Sequence, residues 1–132
     1  MPIQIKYDLK KDSIEYNSFE EIDNYDKVVY INCLYNRLKQ LPKLPNSLQQ
    51  LYCANNQLTS LPKLPNSLRE LSCYNNKLTL LPKLPNSLQI LNCYSNQLKS
   101  LPELPNSLQY FYCNDNQFIK KYKNRYLVKI IF

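Results

Sequence analysis

The chain has 132 residues, enough for one domain at most, and its 17 Lys and Arg against 10 Asp and Glu give a formal net charge of +7. It contains no His, so the usual general base and the commonest metal ligand are absent, and no Gly, so a glycine-rich phosphate loop cannot form. We therefore expect no enzyme activity, no metal and no cofactor.

The N-terminus lacks the apolar core of a signal peptide, and no apolar run is long enough to span a membrane. We therefore expect an intracellular protein, in the cytoplasm or in the cytoplasm of a host cell. The charge is uneven, since residues 1–27 hold four Lys against seven acids and the remainder holds thirteen Lys and Arg against three acids. Such a basic body is either an ordinary solvated lysine surface or a surface for anionic partners.

Residues 1–27 carry no repeat, and we interpret them as an N-terminal cap. Ile3, Ile5 and Tyr7 alternate with polar residues, as in a short strand. Ser18 and Glu21 have the spacing of a capping box at the start of a helical turn. The end of a solenoid exposes apolar core and needs a cap with a polar outer face. A separate binding role for this segment is the alternative.

A 20-residue repeat organises the rest of the chain. Residues 41–59 read L-P-K-L-P-N-S-L-Q-Q-L-Y-C-A-N-N-Q-L-T, and copies begin at Leu61, Leu81 and Leu101. A fixed period of this size indicates a solenoid. A copy without prolines occupies 28–38. We predict a repeat array over 28–120, with strands near 28–33, 48–53, 68–73, 88–93 and 108–113.

The last residues, 121–132, are predicted to form a C-terminal cap. The sequence L-V-K-I-I-F at 127–132 keeps the apolar spacing of L-x-x-L-x-C with Phe at the Cys position, which predicts a terminal strand. The alternative is an apolar tail that docks on another chain.

Each position of the repeat has a structural role. The Leu and Cys of L-x-x-L-x-C should point inward, and the Asn that follows should turn inward and bond neighbouring backbone with its amide. The prolines of L-P-x-L-P favour an extended, polyproline-like segment on the solvated side. Without Gly, Asn55, Asn75 and Asn114 are the residues best suited to left-handed turn positions. Because the Cys count is odd and C-x-x-C is absent, we predict a reduced, buried Cys ladder beside an Asn ladder, formed by Cys33, Cys53, Cys73, Cys93, Cys113, Asn36, Asn56, Asn76, Asn96 and Asn116.

The pattern L-x-x-L-x-C-x-x-N-x-L is that of leucine-rich repeats. The 20-residue form LPxLPxxLxxLxCxxNxL resembles the repeats of bacterial type III secreted effectors, and giant-virus leucine-rich-repeat proteins look similar. The resemblance implies a right-handed, horseshoe-like leucine-rich-repeat solenoid with a parallel β-sheet on its concave face, an extended convex face and little α-helix. Those effectors usually carry an aliphatic residue where this chain has Cys. They often add a catalytic ubiquitin-ligase domain, for which this chain has no room, so the resemblance implies no enzyme activity.

In this fold, the residues between the leucines of each strand face the concave surface. They form three columns in which six of fifteen residues are Tyr, a residue type enriched at binding hot spots. The alternative is that these Tyr only pack on one another along the sheet. The predicted binding residues are Tyr30, Tyr52, Arg69, Glu70, Tyr74, Asn92, Tyr94, Tyr110 and Tyr112.

Three functions are compatible with these features. The first is a protein-binding module that holds an unidentified partner protein, such as a host protein bound by a pathogen or viral factor, on the Tyr-rich concave sheet. The second is binding of nucleic acid or another polyanion by the basic body, where Lys43, Lys63 and Lys83 recur on the convex side. The third is a structural repeat protein that self-associates through the edge strand 127–132. We expect the chain to be a monomer or to self-associate weakly through this strand.

Overall fold

Seven short strands form one continuous sheet within residues 1–118, the part of the chain that the computed structural model describes. They are β1 Ile3–Lys6, β2 Ile14–Tyr16, β3 Tyr30–Asn32, β4 Gln50–Tyr52, β5 Glu70–Ser72, β6 Ile90–Asn92 and β7 Tyr110–Tyr112. The strand order is β2-β1-β3-β4-β5-β6-β7, and β3 to β7 run parallel. Helix in these residues is limited to two 3₁₀ turns, Phe19–Glu21 and Tyr25–Lys27. The predicted parallel-sheet solenoid with little helix is confirmed.

Pairing between repeats follows the period of the sequence, because each residue of a parallel strand lies beside the residue twenty positions later. The three-residue strands occupy the third to fifth positions of each predicted six-residue span. They start late because two successive amides, those of Gln49 and Gln50, both donate to the carbonyl of Val29, which interrupts the regular ladder. Backbone bonding continues past the strands, where the N–H of Cys53 donates to the carbonyl of Ser72 at 2.9 Å.

The Leu-Pro segments form extended arcs that carry neither helix nor strand. Each arc ends in a turn, in which the N–H of Leu68, for example, donates to the carbonyl of Pro65 at 3.1 Å. The hydroxyl of Ser67 donates to the carbonyls of Asn46 and Leu48 in the preceding repeat, at 2.7 and 2.6 Å. Because proline has no N–H, these serine bonds join successive arcs where the backbone alone offers few donors.

The Asn ladder cross-links successive repeats through buried amides. The Nδ2 group of Asn76 donates to the carbonyls of Cys53, Cys73 and Tyr74, at 3.1 to 3.3 Å. Its Oδ1 atom accepts the N–H of Leu58 at 2.9 Å. Asn56, Asn96 and Asn116 repeat this arrangement, whereas Asn36, in the first repeat, is partly exposed and donates to the carbonyl of Leu34. A buried amide without hydrogen bonds would destabilise the stack of repeats. These amides are hydrogen-bonded through both their oxygen and their nitrogen, so they stabilise it.

The five Cys of the ladder are buried free thiols that line the core beside the strand leucines. Burial raises the pKa of Cys33 to about 12 and that of Cys113 to about 11. The pKa values of the three thiols between them are also raised well above 9.0, chiefly by burial. The thiols are therefore protonated and pack as small apolar groups.

The N-terminal segment extends the repeat sheet. β1 pairs antiparallel with β3, and the buried side chains of Ile3 and Ile5 join the core of the first repeat. The predicted helical turn forms at Phe19–Glu21, but the capping box does not, since the Ser18 side chain makes no cap hydrogen bond. The Glu21 carboxylate instead accepts the N–H of Asn17 at 3.0 Å, because a three-residue 3₁₀ turn is too short for the spacing of an α-helical capping box.

Asn55 and Asn75 occupy left-handed turn positions, with φ of 55° and 52°. The corresponding prediction for Asn114 is wrong, because the left-handed residue of the last repeat is Asp115, at φ 52°. The repeat register decides this: position 115 is twenty residues after Ser95, which is also left-handed, and Asn114 is the counterpart of Ala54. The predicted C-terminal cap 121–132, with its strand 127–132, lies outside the described residues.

Replacing Asn76 by Ala should lower the free energy of unfolding by about 2–4 kcal/mol, because it leaves the buried N–H of Leu58 and three carbonyls without their amide partner. Urea denaturation followed by circular dichroism measures this. The exposed neighbour Lys77 provides the control, and Lys77→Ala should change stability by less than about 0.5 kcal/mol. Equal effects of the two substitutions would contradict the ladder's role.

The buried thiols predict a loss of stability at alkaline pH. Above the ordinary pKa of 9.0 the unfolded thiols lose protons that the folded ones keep, so the free energy of unfolding falls as pH rises toward the folded pKa values. Each thiol contributes up to about 1.4 kcal/mol per pH unit, and this stabilisation is fully present below pH 9.0. Urea unfolding in reductant between about pH 8 and 10 tests this. Cys53→Ala should be less stable but show a shallower decline, and a free energy that stays constant over this range would contradict the prediction.

Candidate interaction surface

The candidate surface is the solvent-facing side of β3 to β7 and of the residues that directly follow these strands, called the sheet face below. The middle residue of each strand is buried, whereas the first and third are partly or fully exposed. Neighbouring strands lie about 4.8 Å apart, so equivalent residues form rows across the sheet. The first row is Tyr30, Gln50, Glu70, Ile90 and Tyr110, and the second is Asn32, Tyr52, Ser72, Asn92 and Tyr112.

An aromatic and cationic group lies at the N-terminal end of the sheet face. The rings of Tyr30 and Tyr52 pack with centroids 5.6 Å apart at an angle of 48°. The Nζ atom of Lys6 lies 5.4 Å from the centroid of Tyr30, in a cation–π arrangement. Lys6 reaches this position because β1 pairs antiparallel with β3 and sets Lys6 opposite Tyr30. The repeat pattern could not reveal Lys6, since residues 1–27 lie outside the period.

Glu70 lies at the centre of a hydrogen-bond network on the sheet face. Its Oε2 atom accepts the hydroxyl of Tyr52 at 2.5 Å, and its Oε1 atom accepts the Nε2 group of Gln50 at 3.0 Å. Within residues 1–118 these two side chains are the hydrogen-bonding partners of the carboxylate. Burial and the neighbouring carboxylate raise the pKa of Tyr52 well above 10.0, so its hydroxyl stays a proton donor. Gln50 is not among the predicted binding residues. The 20-residue period could have identified it, because it places Gln50 directly beside Glu70 on the neighbouring strand.

A second aromatic pair follows the strands. Tyr74 and Tyr94 stack face to face, with centroids 4.6 Å apart and rings within 7° of parallel. Burial, then Tyr74 and Tyr35, raise the pKa of Tyr94 above its ordinary value. The pair belongs to the third predicted column, which consists of Leu34, Ala54, Tyr74, Tyr94 and Asn114. Ala54 of this column is completely buried and contributes no exposed surface.

The other predicted binding residues take no part in the two aromatic pairs or in the Glu70 network. Tyr110 is 45% exposed and Tyr112 partly exposed on β7, the last described strand. The side-chain oxygen of Asn92 is buried without a hydrogen-bond partner among residues 1–118. Arg69 is exposed immediately before β5 and takes no part in the Glu70 network. The predicted site is therefore two compact aromatic groups, with Glu70 beside the first, and not one continuous column.

Cationic side chains occupy a different part of the repeats. Lys43, Lys63 and Lys83 are exposed on the Leu-Pro arcs, and Glu103 holds the same place in the next arc. In the described part of the chain, no three His, Cys, Asp or Glu side chains come close enough to hold a metal ion. The helical turns within residues 1–118 are too short and too polar to cross a membrane.

Comparison with known proteins agrees with this architecture. A family model for leucine-rich repeats in two copies matches residues 46–86. The structure of YopM from Yersinia enterocolitica WA-314 is 40% identical, has a TM-score of 0.60, and is matched over 61% of this chain and 18% of that one. YopM from Yersinia pestis, described as a leucine-rich effector protein, is also 40% identical, with a TM-score of 0.64 over 67% of this chain and 26% of that one.

The chain thus spans between 18% and 26% of the length of these solved structures. A search of curated protein sequences found no match. The resemblance to giant-virus proteins stays a prediction. The described part of the chain carries leucine-rich repeats and forms a solenoid similar in sequence and backbone to part of the YopM effector proteins.

Proposed function

We propose that this protein is a protein-interaction module and that its partner lies across the sheet face. The observation that carries the proposal is the parallel stack of Tyr74 and Tyr94, whose centroids are 4.6 Å apart on a partly exposed surface. Each ring restricts the other, so little side-chain freedom is lost when a partner binds. Preorganised Tyr supplies large contact area at low entropic cost, as in antibody paratopes.

The packing of Tyr on Tyr is also what the structural alternative predicts, so the support for binding comes from the exposure of the rings and not from their packing. Six Tyr of the sheet face and its third column are partly or fully exposed, and Tyr110 is 45% exposed. Stacking alone could be achieved by buried apolar side chains, which would leave no hydroxyls in contact with water. Retaining exposed phenols across five repeats is typical of a binding surface.

The dimensions of the surface suit an interface of modest size. Five parallel strands about 4.8 Å apart span roughly 20 Å. A standard interface buries about 800 Å² on each partner, and most of its affinity comes from a few central residues. We expect Tyr52, Tyr74, Tyr94 and Tyr112 to be those residues.

The similarity to an effector protein supports a host protein as the partner and the cytoplasm of a host cell as the place of action. Because the chain spans only 18% to 26% of the YopM structures, the proposal concerns the repeat surface and not the activity of the whole relative. We propose no enzymatic role for this surface.

Affinity capture from host-cell lysate tests the proposal. The full chain should retain specific proteins, identified by mass spectrometry, that are reduced at least about tenfold when Tyr52, Tyr74, Tyr94 and Tyr112 are all replaced by Ala. The matched control replaces Lys43, Lys63 and Lys83 by Ala on the arcs and should capture the same proteins. Thermal melts must show that both variants fold. Capture that survives the Tyr substitutions, or is lost equally in both variants, would overturn the proposal.

Polyanion binding is a second candidate, favoured by the exposed lysines at the same place in three successive arcs. Lysines one strand spacing apart, about 4.8 Å, could follow a phosphate chain. The candidate predicts that affinity for single-stranded oligothymidylate falls steeply with salt, and that replacing the three lysines lowers the logarithmic salt slope by about 2. The four-Tyr variant is the control. Absence of binding at low salt would exclude this candidate.

A further inference from the structure

We infer that the partner presents an arginine side chain to Glu70 and that this carboxylate selects the partner. The inference rests on the proposed function, because it specifies which chemistry the sheet face recognises. It comes from the network formed by Glu70, Tyr52 and Gln50.

Charge sets Glu70 apart from its surroundings. In the two rows of the sheet face it is the one charged residue, because the other nine are uncharged Tyr, Gln, Asn, Ser and Ile. The chain from residue 28 onward is otherwise strongly basic, with thirteen Lys and Arg against three acids. Lys6, over Tyr30, lies two strands away from Glu70. A single carboxylate in rows that are otherwise uncharged attracts a cation and repels an acidic partner at that point, so it discriminates between partners.

The carboxylate is held in position before binding. Tyr52 donates to one oxygen and Gln50 to the other, so rotation of the carboxylate would break both bonds. An ionised carboxylate offers about four acceptor positions, and these two bonds use half of them. Each oxygen therefore keeps one acceptor position, the number that a bidentate guanidinium requires.

A small side chain lies next to this network in the second row. Ser72, directly beside Tyr52 in the second row, is the smallest side chain of that row and is followed by Asn92. Tyr52 and Asn92 lie two strands apart, about 10 Å, with this small residue between them. A guanidinium lying above Ser72 would bond Glu70 through its edge and contact the ring of Tyr52 through its face.

Arginine fits this geometry better than lysine. Its planar fork matches both carboxylate oxygens and stacks on an aromatic ring, whereas an ammonium group is a strongly hydrated point charge. Glu70 is already partly buried and bonded by two protein donors, so less water must be removed from it when a cation arrives. The same carboxylate makes the sheet face unsuitable for a polyanion, whose place would be the lysine arcs.

A random peptide library displayed on phage tests the inference with the full chain as the immobilised target. Selection on the wild type and on Glu103→Gln, which removes an equal charge from an arc, should enrich arginine at one position several-fold over the starting library. Selection on Glu70→Gln should show no such enrichment. Synthetic peptides from the wild-type selection should bind Glu70→Gln at least about tenfold more weakly, and replacing their arginine by citrulline should weaken wild-type binding to a similar extent.

Further variants separate the outcomes. Tyr52→Phe keeps the charge of Glu70 but removes the hydrogen bond that holds its Oε2 atom in position. Arginine should therefore stay enriched, while the affinity of the peptides falls about three- to tenfold. Peptides that require Tyr74 and Tyr94 but show no arginine preference, or that bind Glu70→Gln equally well, would overturn this inference and leave the proposed function standing. Failure to select any peptide whose binding depends on the Tyr of the sheet face would count against both.

Discussion

The structure depends on a buried asparagine amide in each repeat after the first. These amides satisfy backbone groups that neither the short strands nor the proline arcs can satisfy. Asn76 alone donates to three carbonyls and accepts the N–H of Leu58. Two of its carbonyl partners, those of Cys53 and Cys73, belong to successive repeats. The amide therefore holds the turn of its own repeat and ties it to the preceding one. With only three-residue strands, a stack without these amides would bury many unpaired polar groups.

Because the same bonds recur every twenty residues, the ladder also sets the register of the sheet face. Equivalent residues lie side by side across β3 to β7, so differences between repeats become a pattern on one surface. The buried positions hardly vary, as the Cys and Asn ladders show. The exposed positions vary between Tyr, Gln, Glu, Ile, Ser and Asn without disturbing the core. A rigid frame with variable exposed positions can carry a specific binding surface at little cost in stability.

Much of the fold could be predicted, because in a solenoid nearly every contact joins residues that are close in sequence or one period apart. The inward positions of Leu, Cys and Asn can be inferred from a single repeat, because the same residues recur at the same positions in four successive copies. The errors come where the period is misapplied or absent. Asn114 was expected in a left-handed turn on residue type alone, whereas the register assigns that position to Asp115. The capping box at Ser18 failed because the helical turn is three residues long.

The sequence by itself determined the solenoid, its parallel pairing and the repeating side chains of the sheet face, because a 20-residue period leaves one register that buries the strand residues Leu51, Leu71 and Leu91 together. Only the tertiary structure decided how those side chains combine. The Tyr52 hydroxyl reaches diagonally to Glu70, and Lys6 joins Tyr30 through an antiparallel strand outside the repeat. Tyr74 and Tyr94 stack on each other as a second aromatic pair. Side-chain direction and non-repeating contacts depend on three-dimensional packing, which the period does not encode.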